Sequence, residues 1–491
     1  MSQDRDSLLN NGSINSISSN HFDNIESHAA DSGSQDTPSY APPKIFRQLF
    51  AGFSACLSAL SAGVVLGWTS PILDYLTSGK YNDIPIDNNT MGWIGSFATL
   101  GAMAMCIPAG FICDLIGRKK ALLALMIPFL LGWSLIIFAR TILELYFGRL
   151  ITGMAVGACC VAAPLYNGEI AHQDIRGKLG SFFQLMICTG IFLAYLVGKF
   201  LSPHQFTLFC ASMPFVFLVC FVFQPESPNY LMKKFQYENA RKALLVLRGE
   251  NYNVDEELLQ IEGHLKESSQ SAVSLRSIFS KKSVKVAILI SFGLMVFQQM
   301  TGINAIILYS SNMFKSVGVH LDPNLGTIMI GLFQMIATFL ASLLIEKLGR
   351  KLLLFISMST VTVCCVVIAI YLSVKPHLDN EELKEISFLP VTAFCLFVIA
   401  FSFGIGPIPW MISSEIIPTE IRSMVSSTAG TLNWFLAFMV TKVYLLVAGE
   451  ACIFYIFTVF TLLGTIFVLL VVPETKGKSI TQIQEELNNV F

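Results

Sequence analysis

DLIGRKK, residues 114–120, returns as EKLGRKL at 346–352. Two further motifs return in the same order. GEIAHQDIR at 168–176 comes back as SEIIPTEIR at 414–422, which aligns Glu169 with Glu415 and Arg176 with Arg422, and PES at 225–227 comes back as PET at 473–475. One such match carries little weight. Three in order, each after the equivalent apolar run, divide the chain into two like halves. A parallel repeat of this kind relates its halves about an axis along the membrane normal and places a site between them near the midplane.

The membrane enters through composition. Of 491 residues, 54% are hydrophobic and only 13% are charged, against about 25% charged in a soluble domain. Twelve runs reach the ~20 mostly apolar residues that a crossing needs: 48–72, 91–113, 121–139, 145–165, 180–198, 206–223, 285–313, 325–345, 352–374, 387–412, 424–447 and 451–472. The fold class that follows is an all-α membrane protein of twelve transmembrane helices in two six-helix halves, with a helical cytosolic linker domain. The expected limits are a disordered cytosolic tail over 1–43, an N-terminal half over 44–223, the linker over 224–284, a C-terminal half over 285–472 and a cytosolic tail over 473–491. No cleavable signal peptide is expected, because the first apolar run starts far from Met1.

With both termini cytosolic, most of the 32 Lys and Arg residues fall on the cytosolic side, including Lys119, Lys120, Lys347 and Lys351 in short loops, as the positive-inside rule requires. That orientation puts the sequon Asn88-Asn89-Thr90 in the first external loop, with Asn88 as the glycan acceptor. The 12 cysteines lie in apolar stretches without a CxxC pair, and read as packing residues rather than metal ligands. A net charge of −1 argues against a nucleic-acid partner.

The repeated motifs set Asp114, Arg118, Glu169, Arg176, Glu226, Glu346, Arg350, Glu415, Arg422 and Glu474 at cytosolic span ends. Singly, each reads as well as an interfacial anchor. As a set, with both signs at matched positions in both halves, they read as a gate that pairs across the halves when the cytosolic side closes. Surface-like pairs contribute only ~0–1 kcal/mol each, so several together bias two states without locking either.

FQQMTGINAIILYS, 297–310, raises a different question: it carries three amide side chains and Gly302 inside an apolar run. Such amides serve as hydrogen-bond glue between helices. They also line cavities, and here further neutral polar groups lie at mid-depth. Gln184 is in span five, Gln334 in span eight and Asn433 beside Trp434 in span eleven, while GPIPW at 406–410 breaks span ten next to Trp410. Broken helices at this depth are tolerated where they line a cavity. No Asp, Glu or His lies mid-span. Amides donate and accept at once, and indoles offer a flat apolar face, so the set suits a neutral polyhydroxylated solute, a sugar.

DLIGRKK, GEIAHQDIRG, PESPNYL, QQMTGINAIILYS, GPIPW and PETKGKSI together resemble the sugar porter family of the major facilitator superfamily, over spans one to twelve. Within it, WTSPIL at 68–73 and SFGIGPIPWMISSEIIP at 402–418 look most like insect facilitated trehalose transporters and the intracellularly retained class of animal glucose carriers. The resemblance implies alternating access, and sugar contacts from Gln184, Gln298, Gln299, Asn304, Gln334, Trp410, Asn433 and Trp434. It makes span seven the external gate, where this chain has Leu308-Tyr309 in place of the tyrosine pair of many hexose carriers, with Tyr309 as the gating residue. Ser402 stands where several carriers have glutamate, and Val64 where proton-coupled members have aspartate. Facilitated diffusion is therefore favoured over proton symport, and Arg149, without that aspartate, is expected to turn to Glu144 or to solvent.

DRDSLL at 4–9 fits an acidic dileucine sorting signal, Asp4 followed by Leu8 and Leu9, or is a chance pair in a polar tail. A sorting adaptor would read it, taking the protein to endosomal or lysosomal membranes or cycling it from the plasma membrane. The expected function is facilitative transport of glucose, another hexose or trehalose by a monomeric carrier without cofactors. A proton-coupled symporter and a non-transporting sugar sensor are the alternatives. An enzyme is not expected, for want of a nucleophile–base or metal-ligand constellation.

Overall fold

The structure, a computed structural model, describes residues 41–488 apart from 80, 83, 85, 173–174, 271–274, 318–321, 387, 447–449 and 479. Residues 1–40, with Asp4, Leu8 and Leu9, lie outside the described residues. A small unit comprises Met1–Pro42 with Asn251–Asn253; the large one, Pro43–Glu250 with Val254–Phe491, holds every element below. All elements assigned among the described residues are helices.

In the N-terminal half, span one is α1 (Ile45–Gly67) and α2 (Thr69–Thr77), span two α3 (Asn88–Ile116), and span three α4 (Arg118–Ala124) with α5 (Met126–Ile137). Spans four, five and six are α6 (Ile142–Ile170), α7 (Arg176–Phe200) and α8 (Pro203–Phe221). Local chemistry sets the starts. Asp87 accepts the Thr90 N–H at 2.8 Å, and Thr141 with Glu144 forms a capping box on α6. The spans then close on one another through glycines. A Cβ at Gly153 of span four would lie 2.0 Å from the Ala98 carbonyl oxygen of span two, and one at Gly63 of span one 2.1 Å from the Ile187 oxygen of span five. Small residues let backbones approach where lipid supplies no hydrophobic drive for helix pairing.

The linker carries α9 (Pro228–Lys233), α10 (Tyr237–Arg248), α11 (Val254–Gln270) and α12 (Leu275–Ser280). Arg248 docks it on span four: Nη1 donates to the Ile170 carbonyl at 2.8 Å, while Nη2 and Nε hold Glu257 at 2.6 and 2.9 Å.

In the C-terminal half, span seven is α13 (Lys282–Gln299) and α14 (Ile303–Val317), span eight α15 (Pro323–Leu348) and span nine α16 (Arg350–Val374). After α17 (Asn380–Ile386), span ten is α18 (Phe388–Phe403) with α19 (Ile408–Ile416), span eleven α20 (Thr419–Tyr444) and span twelve α21 (Glu450–Leu470). Eleven of the twelve spans are long and apolar enough among the described residues to cross a membrane. The remaining one, α20, carries Ser426, Ser427, Thr428, Thr431 and Asn433, and it packs on the site described below.

The tail beyond span twelve is more ordered than its polarity suggests. It forms α22 (Ile480–Asn488), with Ile483 and Leu487 buried on one face. Gln484 donates to the Ile416 carbonyl at 2.6 Å, and Asn488 accepts the Ser283 N–H at 3.1 Å. The two halves meet along two seams, α3 with α20 and α7 with α15, and again where α2 meets α14.

Candidate functional site

Span seven breaks where its sequence is weakest. Between α13 and α14, Gly302 has φ +86°, and a Cβ there would lie 2.3 Å from the Phe457 ring of span twelve, so glycine answers both the backbone and the packing. Thr301 closes the turn, donating to the Gln298 carbonyl at 2.7 Å and accepting the Ile303 N–H at 3.3 Å. Span ten breaks between Phe403 and Ile408, around Pro407.

Gln298 joins the two breaks. Its Nε2 donates to the carbonyls of Ile405 and Gly406, at 2.8 and 2.7 Å, groups that an unbroken helix would have bonded internally. Its Oε1 accepts from Asn433 Nδ2 at 2.7 Å, Asn433 Oδ1 accepts from Gln299 Nε2 at 2.8 Å, and Gln299 Oε1 accepts from Asn304 Nδ2 at 2.6 Å. All four side chains are buried. Spans seven, ten and eleven thus share one neutral amide network in which donors and acceptors alternate. In this conformation the amides act as interhelical glue. A hydroxylated solute enters such a network by exchanging partners with it, amide for hydroxyl.

Trp410 in α19 is 38% exposed. Across from it is Gly430 of span eleven, where a Cβ would stand at ordinary contact distance from the indole, 3.5 Å. Trp434 is buried and its Nε1 has no hydrogen-bond partner among the described residues; the same holds for Ser402 Oγ and Gln334 Oε1. Gln184 and Gln334 stand apart from the network, on the seam of spans five and eight. There Gln184 donates to Cys188 Sγ at 3.5 Å, and Cys188 Sγ lies 3.3 Å from Thr338 Oγ1 of the other half.

The end of the bundle away from the linker is latched across the halves. Ser70 and Ser310 share a hydrogen bond of 2.9 Å, and Ser70 Oγ accepts the Ser311 N–H at 3.1 Å. Lys199 pairs with Asp322 at 2.9 Å and Lys315 with Asp74. Lys442 donates to Asn89 Oδ1 at 2.7 Å and stands 4.2 Å from the Trp93 ring. Tyr309 is fully buried at a kink in α14 (φ −124°, ψ 18°), stacked on Tyr444 with ring centres 5.6 Å apart. None of these cross-half partners was legible in the sequence, because no periodicity links residues hundreds of positions apart.

At the linker end the repeated motifs fold into two copies of one cluster. Arg118 bonds Glu169 through Nη2 at 2.8 Å and Asp114 at 3.1 Å, and Ser227 donates to the other Glu169 oxygen. Arg350 bonds Glu415 at 3.1 Å, and Thr475 donates to its other oxygen at 2.5 Å. Glu226 accepts the Lys119 N–H at 2.9 Å, and Glu474 those of Arg350 and Lys351 at 2.9 and 3.0 Å. These pairs lie within one half each, not across the halves. Arg176 opens α7, and Arg422 donates to the Ile417 carbonyl at 3.2 Å. The side chains of Glu346 and Asn88 lie outside the described residues.

Arg149 corrects an expectation. It turns neither to Glu144, which caps α6, nor to solvent. It is fully buried and donates to the Val65 carbonyl at 2.8 Å, Thr69 Oγ1 at 3.1 Å and the Ile94 carbonyl at 3.2 Å. The Val65 carbonyl and the Thr69 hydroxyl at the break of span one, with the Ile94 carbonyl of span two, take the place of the missing carboxylate.

The family model described as "Sugar (and other) transporter" matches residues 14–487. The chain is 35% identical to the facilitated trehalose transporter Tret1 of Bombyx mori over 449 residues, covering 91% of this chain and 88% of that one. It is 34% identical to the Tret1-2 homolog of Drosophila simulans, covering 90% and 91%. Among solved structures, the proton:xylose symporter XylE bound to 6-bromo-6-deoxy-D-glucose has the same fold, with a TM-score of 0.71 at 23% identity, covering 89% of this chain and 99% of that one. The inward open XylE of E. coli matches with a TM-score of 0.71 at 22% identity, covering 90% and 100%.

Proposed function

The chain belongs to the sugar transporter family, and from that premise we propose that it is a facilitative uniporter of a neutral sugar, a hexose such as glucose or the disaccharide trehalose, working by alternating access. The observation that carries this reading is the neutral amide network at the meeting of two broken spans, Gln298, Gln299, Asn304 and Asn433. Its members offer both donors and acceptors to hydroxyls that have lost water. Trp410 supplies the apolar face, and Gln184, Gln334 and Trp434 complete the contact set from neighbouring spans. Relatives named for trehalose make that sugar the first to try.

Uniport, rather than proton symport, is supported by Arg149. Its three acceptors are two carbonyls and a hydroxyl, none of which takes up a proton in the physiological range.

The linker and both termini face the cytosol in this reading, as the distribution of basic residues favours. The clusters around Arg118 and Arg350, with Arg176, Arg422 and Glu346, then form the cytosolic gate, and Tyr309 belongs to the external one. Residues 44–223 and 285–472 are the two rocking halves, 224–284 the linker, and 1–43 and 473–491 the tails. The carrier works as a monomer at the plasma membrane, with Asn88 glycosylated. Asp4, Leu8 and Leu9 offer an adaptor a route for cycling through endosomal or lysosomal membranes.

The test is uptake of labelled glucose and labelled trehalose into liposomes holding only this protein, without an ion gradient. Saturable uptake that stops at equilibrium is the expected result. Uptake only under an imposed pH gradient makes the protein a symporter, and silence under both conditions favours the sensor or a solute other than these two sugars.

A further inference from the structure

Arg149 is a permanent charge with no exposed surface, inside a span. Two of the three donor nitrogens of its guanidinium end next to a residue that receives span seven. Nη1 and Nη2 straddle the break of span one at Val65 and Thr69; the next residue, Ser70, bonds both Ser310 and Ser311. Nε holds the Ile94 carbonyl of span two; the next residue, Gly95, receives Tyr309, whose hydroxyl lies 2.2 Å from where a Cβ would stand. Behind the guanidinium, at 5.3 Å from its carbon, is the Trp68 ring, itself fixed by a 3.1 Å bond from Nε1 to Thr207 Oγ1.

We propose that Arg149 is the positioning residue of the external closure: its planar fork fixes, from behind, the two surfaces on which the kinked turn of Tyr309, Ser310 and Ser311 seats. A fork holds several acceptors in one rigid relation, which a lysine ammonium does not do. All three acceptors belong to the N-terminal half, so the seat persists when span seven leaves it, and closing requires no rebuilding of that half. Gly95 and Thr69 act in the same device, one as the socket and the other as a strut. The placement rests on geometry alone; its consequence for transport rests on the alternating-access reading above.

Hydrogen–deuterium exchange of the full chain in lipid nanodiscs tests it, on the wild type and on Arg149→Met, Arg149→Lys, Thr69→Val and Gly95→Ala. Arg149→Met is expected to raise exchange ~5-fold or more in residues 69–77 and 303–317, with span four itself and α13 at wild-type protection. Gly95→Ala leaves the arginine in place, obstructs the socket and should reproduce that pattern. Arg149→Lys and Thr69→Val should give smaller rises at the same two segments. Unchanged exchange there in Arg149→Met overturns the proposal. So does a rise spread over span four and the whole N-terminal half, which is the mark of a residue that only holds the fold together. Should Arg149→Met not fold, Thr69→Val and Gly95→Ala decide: wild-type protection at both segments in these two overturns the proposal equally. A wild-type protein that carries no sugar in liposomes would defeat the transport reading while leaving this measurement to judge the seat.

Discussion

Glu226 and Glu474 perform one task in the two halves: each lays its carboxylate against the glycine that precedes a helix and accepts from that helix's first turn, one backbone N–H for Glu226 and two for Glu474. Gly117 and Gly349 have φ of +100° and +87°, and a Cβ on either would lie 2.4 or 2.7 Å from the carboxylate oxygen. The helix that follows in each case starts with an arginine, Arg118 or Arg350, whose side chain turns to Glu169 or Glu415. A carboxylate there also meets the positive end of the helix dipole. The DLIGRKK and PES motifs, and their repeats, are thus two pieces of one built corner, which explains why they recur together.

Replacing Glu474 by Gln tests the corner. Burial opposes the charged carboxylate, but the N–H groups of Lys476, Arg350, Lys351 and Thr475 outweigh it and hold Glu474 below the usual glutamate range. A lowered folded-state value means the cap stabilises fully above the unfolded glutamate value of about 4.3 and fades as pH falls through the folded one. Glu474→Gln should lower stability at neutral pH by about 1 kcal/mol and flatten the loss of stability on acidification. Thermal unfolding of both proteins from neutral to acidic pH checks this; parallel curves would sink it.

The repeat, the broken spans and the amides were legible in the sequence because each is a local feature: a motif, a glycine in an apolar run, a polar side chain at depth. The partners of those features were not. That Gln298 caps the span ten break, or that Ser227 and Thr475 complete the arginine–glutamate pairs, depends on side-chain directions that spacing does not fix. Arg149 shows the same limit from the other side. Its missing aspartate was visible, but the carbonyls of Val65 and Ile94 were not, since every residue carries a carbonyl and packing alone decides which of them meets a buried guanidinium. The signal for α22 was present, Ile483 and Leu487 four apart on one face, and was outweighed by the polarity around it.

Within the network, Asn433 and Gln299 each make two amide–amide hydrogen bonds and should behave alike. Asn433→Ala removes two bonds to Gln298 and Gln299 and leaves both amides short of a buried partner, a cost of ~1–3 kcal/mol for each unsatisfied group. It should lower both the unfolding temperature and uptake. Gln299→Ala likewise leaves two amides, Asn433 and Asn304, short of a buried partner, at the same cost for each group, and should lower both as well. Uptake and thermal unfolding measured on both variants decide this, and unchanged uptake in Gln299→Ala would remove that residue from the site.

Arg350→Ala addresses the gate. Among the described residues Glu415 would keep only its bond from Thr475, and the cluster at the linker end of one half would loosen while the amide site stays whole. The expected outcome is a changed ratio between the KM values for uptake and for efflux in oriented liposomes. Equal shifts in both, which would report on affinity alone, argue against a gate.

Lys442→Met tests the latch at the other end. The lysine is mostly buried, its stem packed and its ammonium shared between Asn89 and the Trp93 ring. Methionine keeps the apolar stem and removes the charge. A charge-assisted bond is worth about 1.5–3 kcal/mol and a desolvated cation–π contact about 2, but Asn89 is exposed and regains water, so a net loss of ~2 kcal/mol is expected. Such a loss favours separation of spans two and eleven about 30-fold. Hydrogen exchange in residues 88–95 and 438–444 should rise accordingly, without change in the network around Gln298. Asp322→Asn provides the contrast: its pair with Lys199 is part-exposed, contributes ~0–1 kcal/mol, and should move exchange little. If both substitutions act alike, the latch is a sum of surface charges rather than a buried anchor at Lys442.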